Sequence, residues 1–468
     1  MASFNLKKYL SEQKLELPVV FRNVNQVFEW KVSSLDLNRL QGMIGDKKIK
    51  ARVGQKQSEN LQWEGECRYI NITISDFIQL INSNNDQNSF NIDLNNEWVY
   101  ADYIYVRDLF NEVQDFEVLD FIQWKDLGFS GTEGTDSAIW IGTQGAHTVC
   151  HYDTYGYNLV LQVQGRKRWM LFPPSDSQHL HPTRIPYEES SVFSKVDLQH
   201  PDLEEHESFT SCHPHVITLE PGDMLYVPQQ WWHYVENLET SISVNAWFPS
   251  DEDDLTRVKE AASKLIVKSA SHSCSHFSSH SCSSNPSHPP PPSSWFNPSE
   301  TTLSIQEDLE FLQLAVEHYK KKQRKHKPKT TEKNDKKNLE NPKRHNQFKS
   351  DDQKTQKNPV KSDNFECVAS KTSEKPENCH NCEPPAHYNV CSHTVSEGVE
   401  IIPVKELTFE ECVEKFGIWE NILGREKSTK KFKRSFEKIS FQDFVECLST
   451  PKVVDSLVGE LLKRGPKE

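Results

Sequence analysis

The sequence is short of apolar side chains, and the shortage is uneven along the chain. Only 35% of the 468 residues are hydrophobic, less than a fully globular chain usually carries. The 45 residues from Lys320 to Asn364 contain three apolar side chains, those of Leu339, Phe348 and Val360. Burying so few side chains cannot offset the entropy of ordering this stretch. The length would allow two or three domains, but the composition predicts fewer.

Long apolar runs and paired cysteines are missing as well. No stretch of eighteen apolar residues occurs, so the sequence predicts no membrane-spanning helix. Residues 1–10 lack the apolar core of a secretion signal. The eleven cysteines are odd in number, and only Cys67, Cys150 and Cys212 precede residue 250, unlike the dense framework of a disulfide-rich secreted protein. We therefore expect a reducing compartment, the cytoplasm, with the nucleus as the alternative.

Charge is distributed unequally between the two halves. Residues 1–250 contain 19 Lys or Arg against 34 Asp or Glu, a net charge of −15. This acidic half disfavours nucleic-acid binding, because phosphate contacts need dense cations. Seven of the ten residues from Lys320 to Lys329 are Lys or Arg. That basic run could be a nuclear signal or a nucleic-acid patch, although a solvated linker is the simpler interpretation.

Residue patterns divide the first 268 residues into a helical part and a β part. Helical spacing of apolar residues occurs in Ser34–Ile44 and Ile74–Ile81, and Asp251–Lys268 would close the unit. Short β-type runs with Pro and Gly turns lie between them: Ala138–Ile141, Asn158–Val163, Arg168–Phe172, Val216–Leu219, Met224–Val227 and Ser241–Trp247. We predict a mainly β domain over 1–268, a β-sandwich or jelly roll with flanking helices.

The remaining 200 residues have a different composition. Residues 269–400 are rich in Ser, His and Pro and then in Lys, which predicts a largely disordered linker with a short helix at Ile305–Tyr319. Residues 401–468 are predicted to form a short helical tail, with helices at Phe409–Ile422 and Phe441–Leu462.

One further feature of the linker is a Cys-x₂-Cys pair, Cys379 and Cys382. Later His and Cys residues follow it, so zinc could bind there. The spacing lacks the second half of a zinc finger, and adventitious binding is the favoured interpretation.

The most informative residues are His151, Asp153 and His233. His151 and Asp153 are two apart, and on an extended backbone such side chains point to the same side. His233 ends a segment with a Glu220-Pro-Gly-Asp223 turn and a short strand, and it can supply a third ligand. Two His and one carboxylate leave three positions open on an octahedral metal, as in non-haem Fe(II) oxygenases. His-x-Asp alone is common by chance, but the β-type segments between the two motifs support a shared site.

The motifs around these residues resemble a known family. The runs Trp140–Asp153, Asn158–Trp169 and Leu171–Pro174 resemble the JmjC family of 2-oxoglutarate oxygenases, in its factor-inhibiting-HIF-like branch. Two further runs, Pro182–Lys195 and Trp231–Glu236, are similar to JmjC proteins that associate with small heat-shock proteins. The resemblance implies a cupin-like double-stranded β-helix that binds Fe(II) and 2-oxoglutarate. It also implies a small heat-shock protein as substrate or partner.

The resemblance assigns roles to particular residues. By match to the family's motif, the iron ligands would be His151, Asp153 and His233. The cosubstrate would contact Lys167 at its distal carboxylate, Thr148 beside it, and Asn158, Asn245 and Tyr100. Tyr103 is a rival to Tyr100. The stretch from Asp153 to Asn158 is one residue longer than in the hydroxylase, so the alignment of Asn158 and Lys167 depends on an insertion at Thr154–Tyr157.

Physical chemistry supports the lysine independently of the resemblance. A buried carboxylate needs a cation and hydroxyl donors to offset its desolvation, and Lys167 follows a turn at Gly165. The neighbouring Arg166 and Arg168 are expected to be solvated. Packing, without a role in the chemistry, is the expectation for three others: Cys150, Trp231 and Trp232.

Taken together, these features predict a JmjC-type Fe(II)- and 2-oxoglutarate-dependent dioxygenase, a protein hydroxylase linked to small heat-shock proteins and the stress response. Catalysis does not follow from the ligands alone, because a bound metal can also serve stability. The alternative is a non-catalytic JmjC-fold protein that regulates small heat-shock proteins by binding them. Histone demethylation, suggested by the JmjC class, is the third alternative.

Overall fold

A computed structural model describes most of the first 326 residues and two stretches of the C-terminal part. The described residues are 5–13, 15–28, 30–58, 60–82, 88–111, 122–278, 295–301, 303–326, 394–396, 398–423 and 440–464. Residues 1–324 and 391–468 belong to one compact unit. Of a second unit, 325–390, only Lys325 and His326 are described.

The described residues include sixteen strands, which form two antiparallel sheets. They are β1 (Val19–Arg22), β2 (Lys48–Gln55), β3 (Arg68–Thr73), β4 (Glu97–Tyr105), β5 (Ala138–Gly142), β6 (His147–Asp153), β7 (Tyr157–Gln164), β8 (Lys167–Phe172), β9 (Pro182–Thr183), β10 (Ser191–Ser194), β11 (His215–Leu219), β12 (Met224–Val227), β13 (Trp232–Asn237), β14 (Ser241–Phe248), β15 (Thr394–Ser396) and β16 (Val399–Pro403). The larger sheet has the order β15-β16-β1-β12-β7-β14-β5-β4-β2-β3, and the smaller one β11-β8-β13-β6-β10-β9.

Helices flank these sheets at both ends of the described chain. They are α1 (Leu6–Gln13), α2 (Val24–Phe28), α3 (Leu37–Ile44), α4 (Ile74–Asn82), α5 (Val106–Leu109), α6 (Asp253–Ser278), α7 (Ile305–His326), α8 (Phe409–Phe416), α9 (Phe441–Leu448) and α10 (Pro451–Lys463). Apolar side chains of α6, α7 and α10 pack together in one layer, for example Val258, Leu312 and Val454.

The strand order identifies the fold as a double-stranded β-helix. From β5 to β8, successive strands alternate between the larger and the smaller sheet, and β11 to β14 alternate in the same way. The long connection from β8 to β11 adds β9 and β10 beside β6. A turn with a left-handed glycine, Gly165 (φ 66°), leads from β7 to β8, and a Cβ there would lie 2.2 Å from the Thr240 carbonyl oxygen. The predicted cupin-like jelly roll with flanking helices is confirmed.

Strands of the β-helix agree with the sequence patterns better than helix ends do. All six predicted β runs occur within one residue at either end. The helix predicted over Ser34–Ile44 begins later, at Leu37, because the Asp36 carboxylate accepts a hydrogen bond from the Arg39 amide at 2.7 Å and caps the helix. The helix predicted at Ile74–Ile81 is confirmed as α4.

The N-terminal part contains four strands that the patterns did not predict. β2 pairs with β3 and β4, and β4 pairs with β5, so these strands extend the larger sheet. Cations interrupt the apolar pattern of β2, yet Arg52 is buried because Asp102 on β4 forms an ion pair with it. The ion pair with a distant residue therefore allows this segment to form a buried strand, which the local sequence pattern does not indicate.

The C-terminal part also differs from a purely helical tail. β16 pairs with β1, so a segment near residue 400 completes the larger sheet. The helix predicted over Phe409–Ile422 ends at Phe416, where Gly417 adopts a left-handed conformation (φ 64°). The helix predicted over Phe441–Leu462 is interrupted between α9 and α10, since Pro451 starts a new helix.

Several predictions fall partly or wholly beyond the described residues. The Cys379–Cys382 pair and most of the predicted linker lie outside them, and the domain boundaries at 268 and 400 stay predictions. The basic run from Lys320 begins in the last turns of α7 and continues past the described part. Within that part, no helix combines the length and the apolar character needed to cross a membrane.

Trp419 connects the C-terminal part to the core of the β-helix. Its side chain is 4% exposed and packs with Phe172 and Phe209. The indole N–H donates to the Leu198 carbonyl oxygen at 2.8 Å. The residues after 400 therefore belong to the same hydrophobic core as the smaller sheet.

Replacing this side chain should weaken the whole domain. We expect Trp419→Ala to lower the free energy of unfolding by about 3–5 kcal/mol, the usual cost of a large aromatic cavity, measured by urea denaturation. The control is Leu457→Ala on α10, which is 40% exposed and should change stability by about 0.5 kcal/mol or less. Similar small losses in both variants would contradict a shared core.

Candidate metal centre

Three side chains converge where β6 and β13 pair. His151 and Asp153 lie two residues apart on β6, and His233 on β13 stands opposite His151 in the strand register. One ligand atom from each residue lies within 4.8 Å of the others. The structure thus brings together the three residues that the spacing predicted as metal ligands.

Both imidazoles are held in the tautomer that a metal requires. Nδ1 of His151 lies 2.8 Å from the Val149 carbonyl oxygen, and Nδ1 of His233 lies 2.9 Å from that of Trp231. A carbonyl oxygen can only accept, so each Nδ1 carries the proton and donates it. Each Nε2 is therefore left with a lone pair for a ligand.

The Asp153 carboxylate is oriented by its neighbours. Trp247 donates its indole N–H to Oδ2 at 2.9 Å, and the Asn158 amide lies 3.4 Å from the same oxygen. The other oxygen, Oδ1, lies 3.7 Å from Nε2 of His151. One carboxylate oxygen is therefore fixed by hydrogen bonds while the other faces the imidazoles.

Electrostatics keep His151 neutral at ordinary pH. Burial and, to a smaller extent, the neighbouring His233 lower its pKa to about 4, while Asp153 opposes the shift. The rings of His151 and His233 have centroids only 4.2 Å apart. A neutral imidazole with a free Nε2 is the form that binds a metal ion.

A cavity extends from this triad between the two sheets. The space it encloses is about 720 Å³, including open solvent at its mouth. Lys167 lies in its wall with 1% of its surface exposed. The ammonium group donates to Ser243 Oγ at 2.8 Å and is 3.2 Å from Tyr100 Oη.

Lys167 is a buried cation without an ion-pair partner among the described side chains. Burial lowers its pKa to about 7, and the charge of Asp102 only partly opposes this. Asp102 itself is paired with Arg52. A buried ammonium with unused donor capacity is suited to an anion that enters the cavity.

The structure distinguishes the two tyrosine candidates. Tyr100 is buried, contacts Lys167, and lines the cavity together with Thr148 on β6. Tyr103 follows a bulge in β4, has φ 56° and is 41% exposed. Its ring stacks on Trp247 at the edge of the cavity. The position predicted for a residue beside the lysine is therefore occupied by Tyr100 and not by Tyr103.

Both predicted asparagines belong to one chain of hydrogen bonds. Trp140 donates to Asn245 Oδ1 at 2.7 Å, and Asn245 donates to Asn158 Oδ1 at 2.9 Å. Asn158 in turn approaches Asp153. The longer stretch between Asp153 and Asn158 is thus accommodated without separating the asparagine from the triad.

Sequence reasoning missed two residues of this site on β14. Ser243 bonds Lys167 and Trp247 bonds Asp153, and both lie two positions from Asn245. Side chains two apart on a strand share a face, so the alternation around Asn245 could have identified them.

Residues beside the motif lie largely as predicted, with one exception. Trp231, Trp232 and Cys150 are packed in the core, and burial raises the pKa of the Cys150 thiol. Arg166 is exposed, but the expectation that Arg168 is solvated is wrong. It is partly buried because Glu236 forms an ion pair with it and the Phe416 carbonyl accepts a further hydrogen bond.

The donor set fits a divalent transition metal together with a small anion. Two imidazoles and one carboxylate suit iron or a similar ion, and three ligands leave positions open. The unpaired Lys167 ammonium in the same cavity provides the complement for a carboxylate. The roles of the individual residues stay predictions, while their convergence is a property of the fold.

Comparisons with known proteins agree with this geometry. A family model described as a cupin-like domain matches residues 2–254, more than half of the chain. "HSPB1-associated protein 1" of Bos taurus is 44% identical over 260 residues, which are 54% of this chain and 52% of the relative. "HSPB1-associated protein 1 homolog" of Danio rerio is 40% identical over 311 residues, 65% of each chain. "Jumonji C domain-containing protein 5" of Drosophila melanogaster is 26% identical over 218 residues, 46% of this chain and 50% of the relative. This chain therefore spans about half to two thirds of the length of these relatives.

Loss of the indole that orients Asp153 should weaken metal binding. We expect Trp247→Phe to lower Mn(II) affinity about 10- to 100-fold, the usual effect of losing a partner behind a metal ligand. Titration calorimetry at pH 7 measures it. Trp124→Phe is the control, because this indole donates to Ser137 Oγ instead. Equal Mn(II) affinity in the wild type and Trp247→Phe would contradict the role given to the hydrogen bond.

Proposed function

Since this chain belongs to the cupin-like family of JmjC type, we propose that it is an Fe(II)- and 2-oxoglutarate-dependent oxygenase that hydroxylates a protein. The observation that carries the proposal is the convergence of His151, Asp153 and His233 beside the buried, unpaired Lys167. Both the ligand triad and the lysine are needed, because such an enzyme must hold a metal and an anionic cosubstrate in one cavity.

Each predicted residue has a task in this proposal. His151, Asp153 and His233 would hold the metal through two Nε2 atoms and Oδ1. When bound, Fe(II) and 2-oxoglutarate supply oxidative chemistry with dioxygen, in which succinate and carbon dioxide are released and a C–H bond is hydroxylated. Lys167, with Tyr100 and Thr148, would bind the distal carboxylate of the cosubstrate. Asn158 and Asn245 orient Asp153 and the neighbouring wall.

Aromatic side chains around the cavity restrict access of water. Trp140, Trp247 and Phe193 line it together with Tyr103. An apolar wall strengthens the electrostatic contacts that Lys167 makes and contributes to the burial that lowers the pKa of His151. These residues would also shape the entrance for a substrate side chain.

The names of the relatives suggest a partner. Two of them are called HSPB1-associated protein 1 or its homolog, and we propose that this chain likewise acts on or binds a small heat-shock protein in the stress response. The cytoplasm, with the nucleus as the alternative, is the proposed location. The acidic first half of the chain disfavours nucleic acid as a general partner.

A second candidate is a binding protein that uses the fold without catalysis. The relatives' names favour it, because they state association and no reaction. Under this alternative the metal would stabilise the folded domain by binding it. The two candidates are compatible, since a binding partner can also be the substrate.

Variants of the ligands separate the two functions. We expect purified protein with Fe(II) to convert 2-oxoglutarate to succinate, and His151→Ala and Asp153→Ala to abolish this conversion because the metal is lost. Succinate is measured in solution, and co-precipitation with a small heat-shock protein is measured in parallel. Equal turnover in wild type and variants would contradict the oxygenase. Association that survives in both variants, with no turnover in the wild type, would favour the binding protein.

The buried lysine should make cosubstrate binding depend on pH. Because burial lowers the pKa of Lys167 to about 7, the ammonium form needed by a dicarboxylate is lost above that pH. Affinity for 2-oxoglutarate should be highest below pH 7 and fall by up to about tenfold per unit above it, with uptake of about one proton. Calorimetry with Mn(II) in buffers of different ionisation enthalpy counts the proton.

The control for this dependence is Lys167→Met. It should bind 2-oxoglutarate weakly and with a flat pH profile over the same range. For the stability of the protein without cosubstrate, the pH dependence has the opposite sign to that of cosubstrate binding. The pKa of this lysine is below its ordinary 10.5 only in the folded chain, so the free energy of unfolding should rise as pH increases from about 7. A flat binding profile in the wild type would contradict the role of Lys167.

A further inference from the structure

Trp169 has a buried hydrogen-bond donor that nothing in the described chain satisfies. It lies on β8, 5% exposed, and lines the cavity of the metal centre. Its indole Nε1 is buried and has no hydrogen-bond partner. Of the described side chains that line this cavity, Trp169 alone has such a buried, unpartnered atom. Native structures rarely leave a buried N–H unpaired, so this one needs an explanation.

Neighbouring tryptophans show what is ordinary in this domain. Trp140 and Trp247, in the same cavity, donate to Asn245 and Asp153. Trp231, in the same hydrophobic cluster as Trp169, donates to the Glu16 carbonyl oxygen at 2.9 Å. Trp295, buried in another cluster, also has an unpartnered Nε1, but among the described tryptophans that line the cavity the free donor belongs to Trp169 alone.

Its position is between the two binding groups of the site. Trp169 follows Lys167 by two residues on β8, so both side chains lie on the same face of the strand. Its ring stacks on that of His233, with centroids 5.7 Å apart at 30°. Trp169 therefore lines the cavity together with Lys167 and the metal triad, and its ring contacts one of the three ligands.

The same face of β8 holds a second spare donor. The Lys167 ammonium has three N–H bonds, and the two partners found for it are Tyr100 and Ser243. Two unused donors on adjacent positions of one strand face match a ligand with several acceptor oxygens. They do not match an apolar or cationic ligand, which would leave both unpaired.

We propose that Trp169 is a cosubstrate-binding residue whose indole N–H donates to a carboxylate or keto oxygen of 2-oxoglutarate. The inference rests on the proposed oxygenase function and adds a donor to Lys167, Tyr100 and Thr148. It accounts for the indole N–H that has no partner in the described chain, because an oxygen of the bound anion would accept from it.

The decisive variant removes the N–H and keeps the ring. Replacing Trp169 by 3-benzothienylalanine puts sulfur in place of the N–H, and Trp169→Phe is the natural counterpart. With Mn(II) in place of Fe(II), calorimetry measures 2-oxoglutarate affinity without turnover. We expect at least a tenfold loss of affinity in both variants, because a hydrogen bond to a charged acceptor is lost, and unchanged Mn(II) affinity.

Trp231→Phe is the matched control. It removes an indole from the same cluster, but one whose N–H already has a backbone acceptor away from the cavity. It should lower the thermal midpoint of the free protein more than the benzothienyl variant does. Its 2-oxoglutarate affinity should equal that of the wild type.

Each outcome separates this inference from the function on which it rests. If the wild type binds 2-oxoglutarate and the benzothienyl variant binds it equally well, the role of Trp169 is overturned and the oxygenase stands. If the variant loses Mn(II) affinity as well, Trp169 acts by positioning His233 and the proposal is also wrong. Failure of the wild type itself to bind 2-oxoglutarate with Mn(II) would overturn both.

Discussion

The antiparallel pairing of β6 with β13 is the constraint on which the candidate site depends. The register places His151 opposite His233, and the alternation along β6 places Asp153 on the same face. A shift of one residue would turn these side chains to the other face of the sheet. The strands are held in place by their neighbours, β10 beside β6 and β8 beside β13. The site is thus a consequence of how the whole smaller sheet is assembled.

Burial of its polar side chains is the second physical condition on which the site depends. It keeps His151 neutral, lowers the pKa of Lys167 to about 7, and makes each unpaired polar atom costly. Hydrogen bonds compensate for most of that cost in the free protein, and the donors that remain belong to Lys167 and Trp169. An anion in the cavity would accept hydrogen bonds from both groups. Under the proposed function, recognition of the cosubstrate would therefore depend on polar groups that are buried in the core.

Elements with a local sequence pattern could be predicted, whereas elements that depend on contacts between distant residues could not. The six β runs of the jelly roll have local patterns that survive in the structure, because their apolar faces meet one core. β2 and β4 escaped prediction because the buried Arg52 is compensated by Asp102, a residue fifty positions away. β16 was not predicted from the sequence because its partner strand, β1, lies at the other end of the chain. In the site, Ser243 and Trp247 were missed because their roles exist only beside Lys167 and Asp153.

The sequence by itself predicted which three side chains converge in the candidate centre, because His-x-Asp on a strand and a later histidine after a turn are local facts. It also predicted a β-sandwich or jelly roll, since strand periodicity and turn residues are local as well. Only the tertiary structure placed Tyr100 and not Tyr103 beside Lys167, partly buried Arg168, joined Trp419 to the core of the smaller sheet, and left the Trp169 N–H without a partner. These outcomes depend on contacts between distant segments and on exclusion of water, and neither is encoded in any short stretch of the chain.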